Sequence, residues 1–298
     1  MKVIGLGDSV IDKYNYKGIG YPGGNAYNFV VKAKKMGINA AFMGKIAEDH
    51  FKEALLAPLV DMRIDISHCQ YGEGENGYTD ITIVNGDRVI DPGNYGGLAT
   101  KEPLVFSDED IDYLRTFQIV HTSCYSGLDD QIEYLSKRGV RLTYDFSNEY
   151  TEQQMKQICP LIAYGLFSCE NLKHAREIAS KAYSYGLGCA VATAGNDGAV
   201  VCCEIGLVEA TGLKLKDKPL DTMGCGDAFF TGFVLANEAS ESLYYATLDG
   251  KDHMEDLEEA SLKRYIEAAV KHSIYQGHYL AAKSCFVEGG IGYGVKLD

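Results

Sequence analysis

The amino-acid sequence predicts an α/β fold in which helices cover both faces of a mainly parallel sheet. Three observations predict it. Short apolar runs alternate with stretches of helical length over most of the chain, the pattern of strand–helix–strand crossovers. Residues 77–91 break that rhythm, with Asn85-Gly86 between two β-rich runs, a strong hairpin signal. Finally, Asp221-Thr222-Met223-Gly224-Cys225-Gly226-Asp227 leads directly into an apolar helical pattern, as a glycine-rich turn does when it opens a helix.

Taken in order, residues 1–8 form a first strand, an apolar run too short for a signal peptide. Residues 25–36 form a helix ended by Gly37, since glycine tolerates the backbone conformation found past a helix end. A strand at 39–44 and a helical stretch at 49–61 follow. Beyond the hairpin come strand 117–123, helix 128–138 and strand 140–145. The alternation continues with helix 151–159, strand 161–168, helix 170–185 and strand 188–193. In such sheets ligands bind beyond the carboxyl ends of the strands. Residues 241–259 are strongly acidic and read as a solvated surface insertion.

Composition narrows the function. The 298 residues suffice for one domain, residues 1–298, with a substantial core. A net charge of −14 argues against a nucleic-acid groove, which needs clustered Lys and Arg. No stretch is apolar enough to span a bilayer. Nine cysteines without a CxxC pair read as reduced thiols of a cytoplasmic protein, not a disulfide framework or zinc site.

The chemistry concentrates at the glycine-rich turn. The first N–H groups of a helix lack intrahelical partners and carry partial positive charge. Glycines admit a phosphate to that backbone because no Cβ intervenes. Gly224 and Gly226 are therefore candidates for an anion hole, and Asp227 is placed to take a proton from a hydroxyl attacking phosphorus. For a bare Gly-x-Gly-Asp the plainer alternative is a turn with an acidic helix cap; the full seven-residue string is more specific. Two other phosphate signatures fail. Gly5-Leu6-Gly7 lacks a third glycine, with Val10 in its place, and Gly44-Lys45 is followed by Ile46 instead of a hydroxyl residue.

Residues 221–227 resemble the C-terminal signature of the ribokinase-like (phosphofructokinase B-type) carbohydrate kinases, with Cys225 where that family usually has alanine. Gly23-Gly24-Asn25-Ala26-Tyr27-Asn28, preceded by Gly7-Asp8-Ser9-Val10-Ile11-Asp12, is similar to its N-terminal signature. Thr193-Ala194-Gly195-Asn196-Asp197-Gly198-Ala199 is similar to its nucleotide-side turn. The three occur in family order, so the likeness covers essentially the whole chain.

The resemblance implies a three-layer αβα sandwich with a small β lid, built from about 12–21 and 77–91, that shuts over a sugar and excludes water. It implies ATP bound at Thr193, Gly195, Gly198, Thr222, Gly224, Cys225 and Gly226, together with Mg2+; a monovalent cation is a further candidate. Asp227, Gly224 and Gly226 become the catalytic set. Asp8, Asp12, Gly23, Gly24, Asn28 and Arg88 become the acceptor-binding set, since carboxylates and carboxamides offer paired hydrogen-bond sites to sugar hydroxyls. Family lids often pair between subunits, which implies a homodimer as a candidate assembly.

The family's Asn-x-x-Glu segment departs here, as Ser168-Cys169-Glu170-Asn171-Leu172 carries Cys169 and Leu172 at the two expected places. Either Glu170 acts on Mg2+ through water, or it is a helix N-terminal acid and ATP oxygens and water hold the metal. Within the family, residues 7–12, Asp65-Ile66-Ser67-His68, Asp87-Arg88-Val89 and Asp221-Thr222-Met223-Gly224 are most similar to kinases of fructosyl amines. That likeness implies a sugar-amine acceptor phosphorylated on the terminal hydroxyl of its ketose. A kinase of the same fold for free ketoses or nucleosides, and an inactive sugar-binding protein, are the alternatives.

Overall fold

The structure, a computed structural model, describes residues 1–84, 87–91, 93–247 and 259–297. The chain begins with β1 (Lys2–Leu6), β2 (Val10–Tyr14), β3 (Ile19–Gly23), α1 (Asn25–Lys35), β4 (Asn39–Met43), β5 (Lys45–Ala47), α2 (Lys52–Asp61) and β6 (Gln70–Gly72). It continues through β7 (Gly77–Val84), β8 (Asp87–Asp91), α3 (Leu98–Lys101), α4 (Asp108–Leu114), β9 (Ile119–Ser123), α5 (Asp129–Lys137), β10 (Leu142–Asp145) and α6 (Glu152–Ile158). The remainder is β11 (Tyr164–Ser168), α7 (Leu172–Ser184), β12 (Cys189–Thr193), β13 (Ala199–Cys203), β14 (Gly206–Ala210), α8 (Cys225–Thr247), α9 (Glu259–Ser284) and β15 (Val295–Lys296).

The large sheet has the order β14-β13-β12-β11-β10-β9-β1-β4. From β12 to β4 every pair is parallel, while β13 and β14 add an antiparallel edge. Its two faces are covered by different helices. Ile111, Ile132, Met155 and Ala179, from α4 to α7, share one core; Phe29, Phe233 and Ile274, from α1, α8 and α9, share the other. Helix starts follow their side-chain caps. Thr151 accepts the Gln154 N–H at 3.1 Å before α6, and Asn171 accepts the His174 N–H at 2.9 Å before α7. Glu170 therefore precedes the cap of α7 and is not inside the helix, two residues later than the sequence pattern suggests.

A second sheet, ordered β15-β3-β2-β7-β8, lies to one side. Strand periodicity divides β2 between two faces: Ile11 packs with Phe51 and Leu55, while Tyr14 clusters with Tyr21 and Ile81. This sheet is larger than the two segments read from sequence. Residues 12–21 are a hairpin of two strands, and the C-terminal β15 pairs with β3. Asn85 and Gly86 lie outside the described residues, although Val84 pairs with Asp87 across them. The acidic stretch 241–259 also departs from expectation. It continues α8 to Thr247, and Glu259 opens α9; residues 248–258 lie outside the described residues. Glutamate, alanine and leucine are good helix formers, so acidity there does not prevent a helix.

Candidate active site

The start of α1 explains the first cluster of polar residues. Gly24 precedes the helix at φ 110° and offers no side-chain cap. Asp8 supplies one from the loop after β1. Its carboxylate accepts the N–H groups of Asn25 and, at 3.3 Å, Ala26, and the hydroxyls of Ser123 at 2.9 Å and Ser126 at 2.7 Å. A Cβ on Gly24 would lie 2.8 Å from Asp8 Oδ2, and one on Gly23 would lie 2.6 Å from Asp12 Oδ2. Both glycines thus admit a carboxylate of the protein itself. Asp8, expected from sequence in the acceptor-binding set, is held here at the helix start. Asp12, buried on β2, accepts the Thr79 hydroxyl of β7 at 2.7 Å.

Asp227 occupies the first turn of α8 and is buried. Asn28, one turn into α1, donates its Nδ2 to Asp227 Oδ2 at 2.7 Å, and its buried Oδ1 has no partner. Burial pushes the Asp227 carboxyl up to about 7; Lys32 and Asn28 pull it down, and Asp8 and Asp12 push it up further. Sequence reasoning missed Asp145, at the carboxyl end of β10. It accepts the Ser147 N–H at 2.7 Å and the Asn25 amide at 2.9 Å. Burial, then the charge of Asp227, pushes its carboxyl up to about 8. Two nearby buried carboxyls resist ionising together and titrate as a pair. The available signal was its position, the last residue of a predicted parallel strand.

The glycine-rich turn is held from its first residue. Asp221 accepts the Met223 N–H at 2.8 Å, the Tyr14 hydroxyl at 2.6 Å and the Gly289 N–H at 2.9 Å. Gly224 has φ +68°, and a Cβ there would lie 2.9 Å from Gly290 Cα. Gly226 is different: its φ is not left-handed, and a Cβ would meet nothing within 4 Å. It leaves open space at the start of α8, where an anion can reach the backbone. Cys225 Sγ touches Cys285 Sγ at 3.4 Å. Burial pushes the Cys225 thiol up to about 12, so it is a poor nucleophile despite the helix start beside it.

Of the residues expected from sequence to face the nucleotide, Thr193 and Gly195 lie at the end of β12 beside β11, where Ser168 pairs with Thr193 and the Cys169 N–H donates to the Thr193 carbonyl at 2.8 Å. Glu170 is exposed just beyond. Gly195, at φ 52°, faces open space, whereas Gly198, at φ 134°, is packed against the Ala210 carbonyl. Thr222 is exposed. Among the described residues no group of three or more His, Cys, Asp or Glu side chains could hold a metal ion. Arg88 lies on β8, and its side chain is outside the described residues. Among the described residues no helix is long and apolar enough to cross a membrane.

Comparison with known proteins decides the family. The sequence model of the pfkB family carbohydrate kinases matches residues 20–255. The chain belongs to that family. It is a carbohydrate kinase, a phosphotransferase with the ribokinase-like fold. The chain is similar to fructosamine kinase FrlD of Bacillus subtilis (strain 168), at 29% identity over 99% of this chain and 94% of the relative. It is similar to fructoselysine 6-kinase of Escherichia coli (strain K12), at 26% identity over 82% of this chain and 92% of the relative. Its fold matches fructokinase from Vibrio cholerae O395, solved in fructose, ADP and potassium ion bound form, with a TM-score of 0.66. That match has 15% identity and covers 97% of this chain and 94% of the fructokinase.

Proposed function

We propose that this pfkB-family kinase transfers the γ-phosphoryl group of ATP to the terminal ketose hydroxyl of a fructosyl amine, fructosyl-lysine being the best acceptor. The kinase chemistry rests on Asp227, a buried carboxylate in the first turn of α8 beside an open glycine. Bound ATP with Mg2+ supplies the phosphoryl group and spreads its charge over metal and oxygens. Asp227 takes the proton of the acceptor hydroxyl as the new O–P bond forms, and Asn28 Nδ2 holds the carboxylate in orientation. A carboxyl raised to about 7 suits a base working near neutral pH. Asn28 Oδ1, which has no partner among the described residues, accepts an acceptor hydroxyl, and Asp12 grips a second. The N–H groups at Cys225 and Gly226 receive the transferring phosphoryl oxygens. Glu170 has at most a water-mediated part at the metal.

The acceptor class follows from charge. Asp12, Asp145 and Asp227 are buried around one site, where their carboxyls outnumber the Lys32 ammonium, and a secondary amine linked to the sugar brings further positive charge. Similarity to the fructosamine kinase of Bacillus subtilis and the fructoselysine 6-kinase of Escherichia coli supports the same class. Arg88 is assigned to the amino-acid carboxylate, which a guanidinium fork can pair bidentately. The small sheet serves as the lid, with residues 1–298 as one kinase domain in the cytoplasm. Val89 and Ile90 are exposed on β8, its outer strand, and support a homodimer formed through it, which sedimentation equilibrium with Ile90→Lys tests by dissociation to monomer.

The deciding experiment is a coupled ADP-release screen over fructosyl-lysine, fructose, ribose and nucleosides. Fructosyl-lysine is expected to exceed fructose in kcat/KM by ~10² or more, the scale of a few charge-assisted contacts. Comparable efficiency on fructose, ribose or a nucleoside overturns the fructosyl-amine assignment.

A further inference from the structure

Lys32 is an ammonium group almost wholly inside the protein, with 6% of the residue exposed. It lies on α1 one turn beyond Asn28. Its Nζ donates to the Ser284 hydroxyl at 3.0 Å and the Gly290 carbonyl at 2.7 Å. Both partners belong to the segment that closes over the phosphate turn. Gly290 Cα lies against Gly224, and Leu220 and Asp221 N–H groups donate to the Cys285 carbonyl. The charged groups facing Lys32 are Asp227 and the Cys225 thiol from α8 and Lys35 from its own helix. Burial lowers its basicity to about 8, and Asp227 opposes that loss. This cation is held by two oxygens, one carbonyl and one hydroxyl, beside the phosphate turn, ligands of the kind that stand in for water around a potassium ion. A lone buried lysine is costly unless its charge is used.

We infer that the Lys32 ammonium is a tethered monovalent cation of this kinase, holding the Ser284–Gly290 segment against the phosphate turn, so that turnover needs no free monovalent cation. Lys32 is a positioning residue, since it acts through Asp227 and the turn. The inference rests on the proposed role of Asp227 as proton acceptor. Asp227 is faced in turn by Asp8, Asp12 and Asp145, which raise its affinity for protons or share them, and by Asn28 and Lys32, which lower it. Removing the ammonium therefore moves the acidic limb of kcat upward from about pH 7.

The test uses any accepted sugar and compares wild type, Lys32→Ala, Lys32→Met and Lys35→Met in tetramethylammonium buffer with added KCl, RbCl, NH4Cl or LiCl. Wild type is expected to change less than about twofold between these salts. Lys32→Ala, which opens a cavity, should lose at least ~10-fold in kcat and recover several-fold with potassium, rubidium or ammonium but not lithium. Lys32→Met, which fills the space without charge, should lose activity without recovery, and its acidic limb should rise by at least half a pH unit. Lys35→Met, which loses only a hydrogen bond to the Ile291 carbonyl, should keep the wild-type limb and salt response. A wild type that requires potassium overturns the inference. So does a folded Lys32→Ala that is fully active, or one that is inactive without cation rescue while Lys32→Met keeps the wild-type limb. Asp227→Asn assayed alongside separates the two ideas: if it retains turnover, the proton-acceptor reading fails by itself, and the salt responses still judge Lys32.

Discussion

Where α1 meets α8, buried side chains hold one another. Asp8 carries the start of α1, Asp145 holds Asn25, and Asn28 holds Asp227. At the ends of β11 and β12 the arrangement is the opposite: Glu170 is exposed, and Gly195 faces open space. On the proposed reading the first region is the acceptor half, specified by side-chain chemistry fixed before any ligand arrives, which would remove its ordering cost from binding. The second would be the nucleotide half, specified by backbone shape, which a phosphate can use without any particular side chain. Substitutions should follow this division.

The largest effect is expected at Asp227. Asp227→Asn keeps the size and the bond to Asn28 but removes the proton acceptor, and kcat should fall by at least ~10²-fold with KM for ATP little changed. Steady-state kinetics with the acceptor saturated reads this directly; near-wild-type kcat would remove Asp227 from the chemistry. The acceptor half should next show its selectivity. Asp12→Ala should weaken acceptor binding by roughly 1–3 kcal/mol, about 5- to 160-fold, while calorimetry with a non-hydrolysable ATP analogue shows nucleotide affinity preserved. Weaker nucleotide binding with intact acceptor binding would reverse the two halves.

Backbone effects separate the two glycines. Gly226→Ala adds a methyl group in open space, so turnover should drop where phosphate must approach while the melting temperature moves by only a few degrees. Gly224→Ala should cost both, because of its positive φ and the contact with Gly290. Equal thermal losses for the two variants would place Gly226 among structural turns. The smallest effect is expected at Glu170: Glu170→Gln should change kcat less than about fivefold at saturating Mg2+, in keeping with an exposed, water-mediated role. A loss as large as that of Asp227→Asn would show that the nucleotide half also depends on a fixed side chain.

The sequence made the same division partly visible. Alternating apolar runs marked the parallel strands and their helices, because burial on both faces imposes that period. The antiparallel β13 and β14, the short β5 and β6, and β15 carried no distinct periodicity of their own; their pairing depends on distant chain segments. Gly23, Gly24, Asn28 and Asp227 were legible as a set because close approach and helix starts restrict residue choice. Asp8 was legible as important but not as a helix cap, since its donors include Ser123 and Ser126, more than a hundred positions away. Asp145 and Lys32 gave no motif at all. Their significance comes from burial, which a single sequence does not display for an acid at a strand end or a lysine in a run of lysines.

Asp145 offers a stability measurement with a defined sign. Its folded carboxyl, at about 8, binds a proton more tightly than an unfolded aspartate at ~3.9. Between those values the folded state holds more protons, so this group's contribution to stability falls as pH rises from about 4 to about 8. Asp145→Asn should therefore raise the melting temperature of the unliganded protein at pH 8 more than at pH 5. An equal change at both pH values would show that burial does not perturb this carboxyl.

The central claim is that Asp227 is the proton acceptor and that its environment sets its working range. The most direct measurement is kcat against pH from 5 to 8.5 for wild type and for Asp227→Asn, with ATP, Mg2+ and acceptor saturating. Wild type should rise along an acidic limb centred near pH 7, and the residual activity of Asp227→Asn should lack that limb. An identical limb in both proteins would contradict the account, because the ionisation controlling turnover would then belong to another group.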